Sequence, residues 1–229
     1  MGSVMVIAPH PDDAELGMGG TIAALSAKGV EVTLLDLTNG EPTPFGTPEK
    51  RAKEAEEARA ILGATRRVLL DIPNRALFDS EENRRKVAGV IREFRPTLLF
   101  VPYWEDAHPD HWQACQLGEA SRFWAKLTKA DLPHDPHYPM KVIHFFSTHI
   151  RVKAEPSFVY DTSSFQETKE KAIRAYESQF ITNEKNQVVF DHVENENRYW
   201  GRRTGTQYGE PFLCREAIKI GTPDSLLSI

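Results

Sequence analysis

Cysteine is scarce in this chain: Cys115 and Cys214 are the only two in 229 residues. Neither belongs to a CxxC pair, so a disulfide framework and a cysteine-rich zinc ribbon are both excluded as organising devices. A reducing, cytoplasmic setting is the expectation. Long apolar runs are missing too. None approaches the about 20 residues that span a bilayer. The N-terminus shows no basic stretch followed by an apolar segment and a cleavage site, so neither a secretory leader nor a membrane partner is expected. Positive charge is not in excess: 28 Lys and Arg stand against 33 Asp and Glu, a net charge of −5. Without a basic stripe, a nucleic-acid partner is not expected either. Repeats, low-complexity tracts and linkers are also absent, so residues 1–229 read as a single domain. With 40% hydrophobic residues the chain can bury a substantial core.

What is there is alternation. Residues 4–8, 31–37, 68–72 and 97–103 read as apolar strands. Between them 19–28, 48–62, 81–94 and 109–126 read as helices. Gly29 and Gly63 stand as C-terminal stops, and Thr47-Pro48-Glu49 as a capped start. The Arg95-Pro96 step ends the third helix. This order predicts an α/β fold, a Rossmann-like three-layer sandwich with a mostly parallel sheet and helices on both faces. Further on, 141–147 and 157–160 read as strands. Ser164-Phe165-Gln166-Glu167 matches a capping box opening a helix to about Gln179, and 181–198 passes from loop into helix.

Two strand ends carry the chemistry. Val4-Met5-Val6-Ile7 leads into Ala8-Pro9-His10-Pro11-Asp12-Asp13-Ala14-Glu15. About a hundred residues on, Leu98-Leu99-Phe100-Val101 leads into His108-Pro109-Asp110-His111. In open parallel sheets, ligands sit beyond the carboxyl ends of strands, where strand order reverses. A 3-2-1-4 order makes the first and fourth strands neighbours and brings the clusters together. Asp12 and Asp13 diverge on a turn, so one can bind an ion while the other faces its open position. If Pro109 starts a helix, His108 and His111 share a face of its first turn. A catalytic zinc site takes three protein ligands and an exchangeable water. His10, Asp13 and His111 would supply them for one Zn2+ per chain, with Fe2+ as the alternative. Asp12 and His108 are left as a base and an acid. A plain turn at His-Pro-Asp and a helix cap at Asp12-Asp13 are the competing readings; two clusters at two strand ends argue against both. Gly17-Met18-Gly19-Gly20 lacks the GxGxxG spacing, and the carboxylates before it would repel a pyrophosphate. Cys115 reads as core. Tyr103 and Trp104 read as a sugar platform or as core, and His144, His149 and His192 have no ligand spacing.

These two motifs together resemble the LmbE/PIG-L family of zinc-dependent N-acetylglucosaminide deacetylases. Within it the chain is similar to the bacillithiol-biosynthesis branch, which deacetylates N-acetylglucosaminyl-malate. Gly17-Met18-Gly19-Gly20-Thr21-Ile22, Asp36-Leu37-Thr38, Tyr176-Glu177-Ser178-Gln179-Phe180 and Tyr208-Gly209-Glu210-Pro211-Phe212 carry the finer match. The resemblance implies zinc on His10, Asp13 and His111, and Asp12 as the base that takes a proton from the attacking water. It implies a protonated His108, oriented by Asp110, that binds the oxyanion and protonates the leaving amine. It implies that Arg51 faces the substrate, where a guanidinium could pair with a malate carboxylate. Glu15 is expected to hold the loop through backbone amides. N-acetylglucosamine and N-acetylated chitooligosaccharides are the alternative substrates, and a sugar-binding module with a structural metal is the non-catalytic alternative. Relatives form trimers or hexamers, so a homo-oligomer is among the implications.

Overall fold

The computed structural model describes residues 2–149 and 154–219. Strands β1 (Ser3–Ala8), β2 (Glu31–Asp36), β3 (Arg66–Leu69), β4 (Leu98–Pro102), β5 (Lys141–Phe145), β6 (Phe158–Asp161) and β7 (Gly209–Leu213) form one sheet. Its order is β3-β2-β1-β4-β5-β7-β6. The first five strands are parallel, and β7 runs antiparallel between β5 and β6. The helices are α1 (Asp13–Ala27), α2 (Pro48–Leu62), α3 (Glu81–Phe94), α4 (Pro109–Ala125), α5 (Gln166–Arg174), α6 (Glu177–Phe180) and α7 (Val188–Thr204). None of the described helices is long and apolar enough to cross a membrane.

Side chains of β1 alternate between two cores. Val4, Val6 and Ala8 join Val32, Leu34 and Phe100 against Ile22 of α1 and Ile173 of α5. Met5 and Ile7 join Leu35, Leu99 and Val101 against Val87 of α3 and Leu117 of α4. Strands covered on both faces need apolar residues at every position, which is why β1 and β4 read as continuous runs. The expected three-layer α/β sandwich is the fold found.

Four local expectations change. Helix α1 starts at Asp13 rather than Gly19, and non-helical Met18 (φ −149, ψ 27) separates its two segments. Glycines disfavour this helix locally, but contact requires one: a Cβ on Gly20 would meet the Thr162 Cβ at 2.7 Å. Strand β3 sits two residues earlier than expected and includes Arg66 and Arg67. Arg67 enters the interior because Asp36 accepts from its Nε and Glu15 from its Nη1, the latter at 2.6 Å. Strand β7 has no counterpart in the sequence reading, since Pro211 argues against a central strand. The β5 register covers only His144↔Leu213 and Phe145↔Phe212, so no ladder bond to β5 asks for the N–H that Pro211 lacks. The capping box does not form. A short turn at Ser163–Phe165 precedes α5, and Ser163 donates from N–H and Oγ to Asp161 Oδ1 at 2.9 and 2.6 Å. The helix then breaks at Ala175-Tyr176 before α6.

A buried ion pair ties the last strand to the first helix. Glu210 of β7 accepts from Lys169 Nζ at 2.7 Å and from the backbone N–H groups of Gly20 and Thr21 at 2.9 and 2.7 Å. Both charged side chains are almost fully enclosed, at 1% and 0% exposure. Glu210 thus caps the segment of α1 that resumes after Met18.

Candidate metal centre and active site

The site lies where β1 and β4, neighbours in the sheet, reach their carboxyl ends. The chain leaves β1 through Pro9-His10-Pro11 and enters α1 at Asp13, with Asp12 at the N-cap. Asp12 has φ 111, the left-handed half of backbone space that non-glycine residues adopt only under constraint. That constraint turns the adjacent carboxylates apart. After β4, His108 occupies the N-cap of α4 and Pro109 its first turn.

The three residues expected to ligate are brought together. One ligand atom each from His10, Asp13 and His111 lies within 4.8 Å of the others. Asp13 sits between the imidazoles, with Oδ2 3.0 Å from His10 Nδ1 and Oδ1 3.3 Å from His111 Nε2. All three are buried. Asp12 turns aside and accepts from Arg51 Nη2 at 2.8 Å. A cavity of about 400 Å3 opens above them, lined also by Arg51, Arg75 and His108.

Charge shows what the pocket wants. Burial pulls His10 down, but Asp110 and Asp13 outweigh it and hold the ring at about 9. Burial likewise opposes His111, and Asp13 and Asp106 raise it to about 10. Burial pushes the Asp13 carboxyl up, and the two imidazoles hold it well below the ordinary range. Without a metal, these carboxylates draw protons onto both imidazoles. Two nitrogens and one oxygen from buried side chains fit a zinc-like dication, which would supply that positive charge in the protons' place.

The partners of His108 and Asp110 differ from those implied by the resemblance. The Asp110 carboxylate lies 3.2 Å from His10 Nε2 and accepts the Arg75 backbone N–H at 3.1 Å. His108 Nδ1 accepts the Asp110 backbone N–H at 3.2 Å, which leaves the ring proton on Nε2. Burial and the neighbouring His111 lower the His108 pKa, favouring the neutral ring. Helix capping accounts for this, because Asp110 is the second residue of α4 and its N–H needs an acceptor. Arg51 is also more occupied than expected. Its Nε donates to the Pro11 carbonyl at 3.1 Å, while Nη1 is buried with no hydrogen-bond partner among the described residues and faces the Glu41 carboxylate at 4.0 Å. Glu15 accepts from Arg67 and from the Tyr176 hydroxyl, not from backbone amides. Trp104 packs against Tyr103 and His144 and does not line the cavity.

Three neighbours have no signal in spacing. His111 Nδ1 is 2.9 Å from Asp106 Oδ2 and 3.0 Å from Ser147 Oγ, and Ser147 donates to Asp106. The His149 ring centroid lies 5.4 Å from that of His111. Asp106 could have been found as the carboxylate just before His108. Ser147 and His149 follow β5, which only the strand order brings here. A carboxylate on the far nitrogen of a metal-binding imidazole fixes its tautomer and raises its basicity. Asp106→Asn is therefore expected to weaken metal binding by about 10–100-fold, read by competition with a chromophoric chelator. Unchanged affinity would remove Asp106 from the centre.

Comparison with known proteins gives a consistent picture. The family profile described as PIG-L: GlcNAc-PI de-N-acetylase matches residues 5–121. The chain is 32% identical over 225 residues to diacetylchitobiose deacetylase of Thermococcus kodakarensis, covering 90% of this chain and 80% of the relative. It is 29% identical over 193 residues to a probable N-acetyl-alpha-D-glucosaminyl L-malate deacetylase 2 of Bacillus anthracis, covering 78% and 82%. Among solved structures, the conserved protein TT1542 from Thermus thermophilus superposes with a TM-score of 0.89 at 38% identity, covering 97% and 98% of the two chains.

Proposed function

The chain belongs to the PIG-L family of de-N-acetylases, and on that premise we propose that it is a zinc-dependent deacetylase of N-acetylglucosaminyl-malate. The observation that carries the chemistry is the convergence of His10, Asp13 and His111, with Asp12 held beside them at the cavity and outside their set. A structural zinc site closes with four protein ligands, whereas three leave a position for solvent.

A zinc ion held by His10, Asp13 and His111 would supply an acidified water molecule and Lewis-acid polarisation of the acetamide carbonyl. Asp12 accepts a proton from the attacking water, and Arg51 holds its carboxylate in place. His108 presents Nε2–H to the developing oxyanion. Asp12 then passes its proton to the leaving amine. Asp110 acts through His10 as a positioning residue. An acidic aglycone is supported by Arg75 and by Arg51, whose Nη1 makes no hydrogen bond among the described residues and meets only the Glu41 carboxylate at 4.0 Å, both on the cavity wall.

A second reading, an N-acetylated chitooligosaccharide, is favoured by a neighbouring cavity of about 430 Å3. It shares Leu16, Thr148 and His192 with the first, and its lining includes Trp200, Asn195 and Glu196 and, among the described residues, no Lys or Arg. Amine release from N-acetylglucosamine, its malate glycoside and N-acetylated chitobiose, with zinc restored to chelated protein, separates these readings. The malate glycoside is expected to give the highest kcat/KM. The highest value for chitobiose would select the second reading, and no release from any of the three would end both. His111→Ala is expected to lose bound zinc and activity together.

A further inference from the structure

We propose that Cys115, Glu119 and His144 form a second divalent-cation site, suited to a zinc-like ion, that clamps α4 to β5. Cys115 and Glu119 are four residues apart on α4, so one helical face presents both. His144 is the penultimate residue of β5. One ligand atom from each lies within 4.8 Å of the others. Sulfur, imidazole nitrogen and carboxylate oxygen are the donors that borderline-soft zinc selects.

The surroundings orient these donors. His144 is 1% exposed, and its Nδ1 lies 3.3 Å from the Leu213 carbonyl, a bond that leaves Nε2 as the ligating atom. Nε2 faces Glu119 Oε1 at 2.9 Å, so these two ligand atoms already point into one gap. Glu119 Oε2 is held separately by Arg215 Nη1 at 3.0 Å. Burial pushes the Cys115 thiol up, so its thiolate forms only beside a cation. Binding therefore releases the thiol proton, and the thiolate and carboxylate balance the dication. Glu119 is only partly buried, its side chain 28% exposed, which gives the ion a way in and leaves solvent to complete the coordination. Arg215 opposes the ion electrostatically. It is 45% exposed and lies over the Trp104 ring, so it covers the site from the solvent side.

The inference does not depend on the deacetylase reading, and its test does not use activity. Chelated protein titrated with Co2+ is expected to bind two equivalents per chain and to show a near-ultraviolet thiolate-to-cobalt charge-transfer band. Cys115→Ser is expected to bind one equivalent and lose the band. Glu119→Gln, at a partly exposed position, is expected to weaken the second equivalent by more than about tenfold while keeping the fold. Arg215→Ala is expected to tighten it. One equivalent without a thiolate band in the unaltered protein would overturn the proposal. So would a second equivalent that persists in Cys115→Ser.

Discussion

Asp12→Asn is expected to retain bound metal and to lose turnover by about 10²–10⁴-fold, the range contributed by a positioned base. Asparagine is the right probe for two reasons. The backbone of Asp12 stands at φ 111, and asparagine tolerates positive φ better than alanine. Its side-chain oxygen can also still accept from Arg51 Nη2, which meets Asp12 Oδ2 at 2.8 Å. Only proton acceptance is removed. Metal content and kcat measured on the same preparation settle the outcome. Full turnover would move the base elsewhere, and loss of metal would place Asp12 among the ligands.

The second large effect is on stability. Lys169→Met keeps the length of a side chain that is 1% exposed but removes its charge. Glu210 then remains an enclosed anion facing only neutral donors, Gly20 N–H, Thr21 N–H and Thr21 Oγ1. Breaking a buried pair from one side typically removes about 3–5 kcal/mol. The expected result is a urea midpoint shifted to lower concentration with an unchanged slope. A shift worth less than about 1 kcal/mol would mean that the three hydrogen bonds satisfy Glu210 unaided.

The central part of the sheet was legible because β1 and β4 carry continuous apolar runs, Val4–Ala8 and Leu98–Val101, a signal that needs no partner information. The approach of the two His/Asp motifs to one another was legible because each follows such a strand directly. Elements that depend on distant partners were not. Arg67 is a strand residue only because Asp36 and Glu15 neutralise it. Helix α1 passes through its glycines because Thr162 packs against Gly20 and Glu210 accepts from the Gly20 amide. Strand β7 hides its proline where pairing with β5 does not reach. Around the candidate metal centre, Ser147 and His149 arrive from a segment after β5, and nothing local marks them. The partner of His108 Nδ1 is set by helix capping, and the Asp110 carboxylate goes to His10 and the Arg75 amide rather than to His108.

The Glu210 cap bears on how far this chain can be shortened. The signature of its family occupies residues 5–121, yet β7 lies at 209–213. A fragment cut after the signature would keep His10, Asp13 and His111 and still leave the Gly20 and Thr21 amides without their acceptor. It would also bare the face of the first helix on which Lys169 rests, since a Cβ on Gly19 would meet the Lys169 Cγ at 2.9 Å. Recognition of the family and an autonomous folding unit are thus different lengths of polypeptide, and excision of the former is expected to yield insoluble protein.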